Sequence, residues 1–290
     1  MFNGAGVAIV TPFIGEEIDF KSFEKLVDFH LENDTQALIV LGTTGEASTQ
    51  TSEEKEKLIK LSVERVDKKI PVIIGVGTYD HKTTLDNVKQ AERLGADGLL
   101  LVTPYYNKAT QKGLIEHFTK IANSTKLPII LYNVPSRTTL NIDASTTIEL
   151  SKIENIIGIK EASGNMNQIL EIRRNTDEDF KIYSGNDDQI NCVYACGGNG
   201  IISVASNIIP KEVQAICQAF TDGDTKEALR IQLEYKRLVD LLFCEVNPIP
   251  VKAALSKMGY IENNLRLPLT SMEEENLNIL IEEMKNVNLI

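Results

Sequence analysis

A lysine inside an apolar run is an expensive arrangement, and Lys160 occupies one, IIGIKEA at 156–162. An ammonium taken out of water must pair with a carboxylate or give up its proton. A neutral amine is the nucleophile that attacks a carbonyl carbon to form a Schiff base. Residue types alone leave two readings open, because Glu161 or another buried acid would also account for Lys160 as half of an ion pair. Tyr132, in PIILYNV at 128–134, is a matching proton carrier. A phenol both donates and accepts, so beside an imine it can pass protons to and from the carbinolamine. Taken alone, a tyrosine at such a place reads rather as a core aromatic with a satisfied hydroxyl.

Two further segments offer carboxylate receptors. In GTTGE at 42–46, Thr43 and Thr44 add hydroxyls to the amides of a glycine-bounded turn. Such turns bind carboxylates as nests and helix N-termini do, although capping threonines at a helix entry look the same. Arg137, in NVPSRTT at 133–139, has the fork geometry to clamp a carboxylate, or is a surface arginine. One lysine, several hydroxyls and two carboxylate receptors together describe a condensation of α-keto acids.

These groups need a scaffold that brings distant segments to one face. Eight short β-branched runs supply it: 6–12, 37–42, 71–77, 98–104, 128–134, 156–162, 181–187 and 200–206. They lack polar–apolar alternation, as strands covered on both faces do. Most are separated by helical patterns, including 20–33, 52–66, 84–95 and 112–125, with Thr51 or Ser52 as an N-cap. The stretch 186–198 is long enough for about three helical turns. Eight alternations with short connections, and no GxGxxG after the first run, predict an α/β fold, a closed (β/α)₈ TIM barrel. Beyond residue 206 the β-rich runs stop, so a C-terminal helical extension is expected, with the barrel at 1–225 and the helical domain at 226–290.

Barrels of this kind place chemistry at the C-terminal ends of their strands. That rule selects Thr43, Thr44 and Glu46, then Tyr105 and Tyr106, then Tyr132, Asn133 and Arg137. It continues with Lys160 and Glu161, Gly185 and Asn186, and finally Ser203. The three histidines (His30, His81 and His117) fall in helices or turns away from these ends, so no metal ligand set is expected.

At 290 residues, with 42% hydrophobic and 24% charged residues, the composition is that of a globular chain that needs no staples. A net charge of −11 argues against nucleic-acid binding. Four cysteines form no zinc pattern and read as buried thiols. Neither a signal peptide nor an apolar run of membrane-spanning length is visible, so no membrane partner is expected and a cytoplasmic location is the expectation.

In its ordered motifs the chain resembles the dihydrodipicolinate synthase family, within the N-acetylneuraminate lyase superfamily of class I pyruvate aldolases. The motifs are GVAIVTPF, LGTTGEAST, GADGLLLVTPYYNK, PIILYNVPSRTT, GIKEASGN, YSGNDD, GGNGIISVASNIIP and NPIPVKAAL. Thr43, where the sialic-acid lyases carry serine, and Arg137, which they lack, both point to the synthase branch. The resemblance implies that Lys160 forms an imine with pyruvate and that Tyr132 shuttles protons to it. Thr43 and Tyr106 would complete the relay, with Tyr106 reaching the site of a neighbouring subunit. Thr44 would hold the pyruvate carboxylate, Arg137 that of L-aspartate 4-semialdehyde, and Gly185 and Ile202 would line the pyruvate side. It further implies no cofactor beyond the covalent pyruvate imine, and a homotetramer built as a dimer of dimers.

Two departures bear on regulation. Ala109 stands where the family often has proline, which would loosen the loop carrying Tyr106. Where lysine-inhibited synthases carry His and Glu, this chain has Ser52, Lys55, Tyr79 and Thr83, so weak or absent feedback is expected. Two other readings remain: an aldolase for a 2-keto-3-deoxy sugar acid, and a barrel that has lost catalysis and serves as a binding protein.

Overall fold

The computed structural model describes all of residues 1–290. Its eight parallel strands are β1 (Gly4–Ala8), β2 (Ala37–Val40), β3 (Val72–Gly75), β4 (Gly98–Val102), β5 (Ile129–Asn133), β6 (Ile156–Glu161), β7 (Lys181–Ser184) and β8 (Gly200–Ser203). Each pairs with its neighbour in sequence, and β8 closes on β1 with Gly4 opposite Gly200. The chain is a closed (β/α)₈ barrel, and every run expected from the sequence supplies one strand.

A helix follows each strand: α1 (Phe20–Glu32), α2 (Ser52–Val66), α3 (His81–Arg93), α4 (Gln111–Ala122), α5 (Ala144–Leu150), α6 (Met166–Arg174), α7 (Ile190–Ala195) and α8 (Pro210–Thr221). Thr51 caps α2 through a full capping box, its hydroxyl accepting from Glu54 N and the Glu54 carboxylate accepting from Thr51 N. Helix α3 starts three residues before the expected 84, because Asp80 accepts from Thr83 N and captures an additional turn.

Four helices follow the barrel: α9 (Thr225–Glu234), α10 (Lys236–Leu241), α11 (Ile249–Lys257) and α12 (Glu274–Asn286). Gly223, at φ 86°, breaks what reads in sequence as one long helical stretch. A two-stranded hairpin, Phe13–Ile14 against Glu17–Ile18, is an addition that the sequence pattern did not reveal.

The core has two layers. One cluster, including Ile39, Ile73, Leu100, Ile130 and Ile202, fills the barrel interior. A much larger one packs the outer strand faces against the helices. This double coverage explains the missing alternation in the strands. No helix is long and apolar enough to cross a membrane. The cysteines differ from expectation: only Cys217 is buried, whereas Cys192 and Cys244 are exposed and Cys196 is intermediate. In α7 the inward positions are taken by Ile190 and Val193, which turns Cys192 outward.

Candidate active site

Register decides which side chains enter the barrel mouth. Tyr132 is the Cα partner of Lys160 across β5 and β6, and Asn133 is the partner of Glu161. Successive residues of a strand face opposite sides. Tyr132 and Lys160 accordingly share the interior, whereas Asn133 and Glu161 face the helices. The Glu161 carboxylate accepts from Asn133 Nδ2 at 3.0 Å, Gln168 Nε2 at 2.9 Å and Ser163 N at 2.7 Å. Glu161 is thereby removed as a partner for Lys160, and the ion-pair reading fails for that acid.

Lys160 is 5% exposed, and its Nζ lies 4.5 Å from the centroid of the Tyr132 ring. No carboxylate comes within ion-pair distance of it. A different buried acid, Asp187, feels the charge of Lys160. Burial pushes the Asp187 carboxyl above its usual range, opposed by the Ser203 hydroxyl, by the amides of Val204 and Ala205 and by the charge of Lys160. Ser203 Oγ donates to Asp187 at 2.5 Å and Val204 N donates at 2.9 Å. Gly185 closes one side of the lysine. A Cβ there would fall 2.5 Å from the Ala162 methyl and 3.2 Å from Lys160 Cε, so the close approach needs glycine.

These groups line a cavity of about 150 Å³ that also takes in Thr43, Thr44, Arg137 and Asn186. Thr44 is buried, and its Oγ1 accepts from Asn247 Nδ2 at 3.0 Å. Arg137 sits on a one-turn helix, Pro135–Thr138, and its Nη2 donates to the Asn247 carbonyl at 3.3 Å. Lys160, Tyr132, Thr43, Thr44, Arg137 and Gly185 therefore come together, as the strand-end rule expects. Ile202 is instead fully buried in the interior cluster, and Tyr106 stands away from the cavity, 96% exposed with a left-handed φ of 66°.

Asn247 and Phe243 line the cavity as well, and neither was singled out by sequence reasoning. Both lie after the eighth strand, where the strand-end rule does not look. The NPIPVKAAL motif contains Asn247, but nothing in its pattern marks that residue as lining the site. The histidines stay outside: His81 and His117 pair at 3.1 Å between α3 and α4, and His30 is buried beside Thr35. A wider groove between α1 and α2, bordered by Lys57, Lys60, Glu64 and Arg65, receives no strand end.

Residues 1–287 match the model of the dihydrodipicolinate synthetase family. The chain belongs to this family. A dihydrodipicolinate synthetase family relative from Alkaliphilus oremlandii, a 4-hydroxy-tetrahydrodipicolinate synthase, is 69% identical over the full length of both chains. The crystal structure of dihydrodipicolinate synthase from Thermotoga maritima superposes with a TM-score of 0.98 at 46% identity, covering all of both chains. The synthase from Acinetobacter baumannii, solved in complex with pyruvate, gives 0.98 at 40% identity over all of both chains.

Proposed function

We propose that this chain is a 4-hydroxy-tetrahydrodipicolinate synthase, a lyase that condenses pyruvate with L-aspartate 4-semialdehyde through a Schiff base on Lys160, in the diaminopimelate route to lysine. The observation that carries this reading is the buried Lys160 amine beside Tyr132, without a carboxylate partner, at the mouth of the barrel. Family membership and the pyruvate complex of a relative 40% identical support it.

Neutral Lys160 attacks the pyruvate ketone, and Tyr132 carries the proton that lets water leave. The positive charge of the iminium acidifies the methyl group. Loss of a proton gives an enamine, which forms the new carbon–carbon bond to the aldehyde of aspartate semialdehyde. The substrate amine then attacks the imine carbon, closes the ring and frees Lys160. Thr43 and Tyr106 extend the hydroxyl relay. Thr44 and neighbouring amides receive the pyruvate carboxylate, and Arg137 receives that of the semialdehyde. Gly185 and Ile202 face the pyruvate side through backbone groups, the Ile202 side chain staying in the interior cluster. The lysine is itself the electron sink, so the reading needs no metal or organic cofactor.

The exposed ring of Tyr106 supports a role across a subunit interface within a homotetramer. The proposed division is a barrel at 1–225 and a helical domain at 226–290, in a cytoplasmic enzyme without nucleic-acid or membrane partners. Comparing turnover with aspartate semialdehyde and with 2-keto-3-deoxy sugar acids separates this reading from the aldolase alternative. Arg137 at the cavity favours the semialdehyde, and faster turnover of a sugar acid would overturn it.

A further inference from the structure

The turn that carries Thr43 and Thr44 is gripped from outside the barrel. Glu46, which ends the GTTGE segment, has a φ of 54°, left-handed backbone that a non-glycine residue keeps only when its surroundings enforce it. Its carboxylate accepts from Lys252 Nζ at 2.6 Å and from Arg266 N at 3.1 Å. The Lys252 and Glu46 side chains are 0% and 1% exposed, although 206 positions separate them in the chain. Lys252 Nζ also donates to the Thr11 carbonyl at 3.0 Å and lies 4.3 Å from the Phe13 ring centroid. The Arg266 guanidinium lies 4.6 Å from the same centroid and pairs with Glu54 of the α2 capping box. Asn247, just before α11, bonds Thr44, while Lys252, within α11, bonds Glu46.

A buried ion pair is weak grounds for stability, because desolvation offsets its attraction. It is a stringent constraint on geometry, since two buried charges tolerate no separation. We infer that Lys252 and Glu46 are positioning residues for the condensation, an ion pair through which α11 locks the 42–46 turn so that Thr43 and Thr44 present their hydroxyls to the cavity. The inference rests on the roles proposed above for those two threonines.

Lys252→Met and the double variant Glu46→Gln/Lys252→Met test it, with Thr44→Val as reference. kcat, the pyruvate KM and Tm are measured, the kinetics well below Tm. The expected result is a fall in kcat of about ten-fold or more and a raised pyruvate KM in both. The double variant regains Tm lost by the single one but not its kcat. Should Lys252→Met fail to fold, the double variant carries the test. Folded variants with kcat and pyruvate KM within about two-fold of the unchanged enzyme overturn the inference, as does failure of both to fold. If Thr44→Val is impaired and the Lys252 variants are not, this inference alone fails. If Thr44→Val is unimpaired, the proposed role of Thr44 fails with it.

Discussion

Tyr132 and Lys160 are register partners on adjacent parallel strands, and the lysine amine sits 4.5 Å from the tyrosine ring centroid inside the barrel. Their neighbours Asn133 and Glu161 are paired in the same way on the other face, where they hydrogen-bond each other. One register thus sets the proposed nucleophile beside its proposed proton carrier and keeps the adjacent acid away from both. Tyr132→Phe should lower kcat by about 100-fold or more with little change in Tm. Steady-state kinetics and thermal unfolding of the variant check this.

Arg137 projects from a one-turn helix and has a single weak tie, to the Asn247 carbonyl. Arg137→Gln should raise the KM for aspartate semialdehyde by about 10–100-fold, the cost of a charge-assisted hydrogen bond. The pyruvate KM should stay close to its original value. A matching rise for both substrates would place Arg137 elsewhere in the reaction.

Tyr106 is expected to serve a neighbouring subunit, which makes complementation decisive. Tyr106→Phe and Lys160→Ala should each be nearly inactive alone. Co-expressed as mixed oligomers they should recover activity, because some sites then contain Lys160 from one chain and Tyr106 from the other. Activity no higher than the sum of the separate variants would argue against a shared site.

His30 gives the pH dependence a definite sign. Burial holds its imidazole down at about 3, against an ordinary value of 6.5, so the folded protein keeps it neutral. The unfolded chain takes up a proton below pH 6.5. This group therefore leaves stability intact above 6.5 and removes it as the pH falls toward 3, by at most about 1.4 kcal/mol per pH unit. His30→Gln should flatten that part of the stability curve in denaturant titrations.

Weak or absent lysine feedback is proposed from the residues near the start of α2 and α3. Lys55 is half-buried, and burial holds its ammonium below the usual range, with Glu54 opposing that shift. Tyr79 is largely exposed beside Tyr105, and Thr83 is taken up by the Asp80 cap. The proposal of weak or absent feedback rests on Lys55, whose cation would repel an L-lysine bound beside it. Millimolar L-lysine should leave turnover unchanged, and a halved rate would contradict this.

The barrel was legible because buried parallel strands write their apolar runs directly into the sequence. Thr43, Thr44, Tyr132, Arg137, Lys160 and Gly185 were legible as lining residues because strand ends converge on one face. Asn247 and Lys252 were not, since their partners lie about 200 positions away and no local period marks them. The hairpin at 13–18 was hidden for a related reason. Phe13 is fixed by its packing against the Lys252 and Arg266 cations, long-range contacts that a two-residue strand cannot announce. Cys192 shows the converse, a residue type commonly buried that a short rim helix turns outward.

Borohydride reduction in the presence of pyruvate, followed by peptide mass analysis, tests the central claim most directly. A Schiff base on Lys160 predicts irreversible inactivation and a pyruvate-derived mass on the peptide containing Lys160, absent from Lys160→Ala. An unmodified Lys160, or a pyruvate adduct on a different lysine, would contradict it.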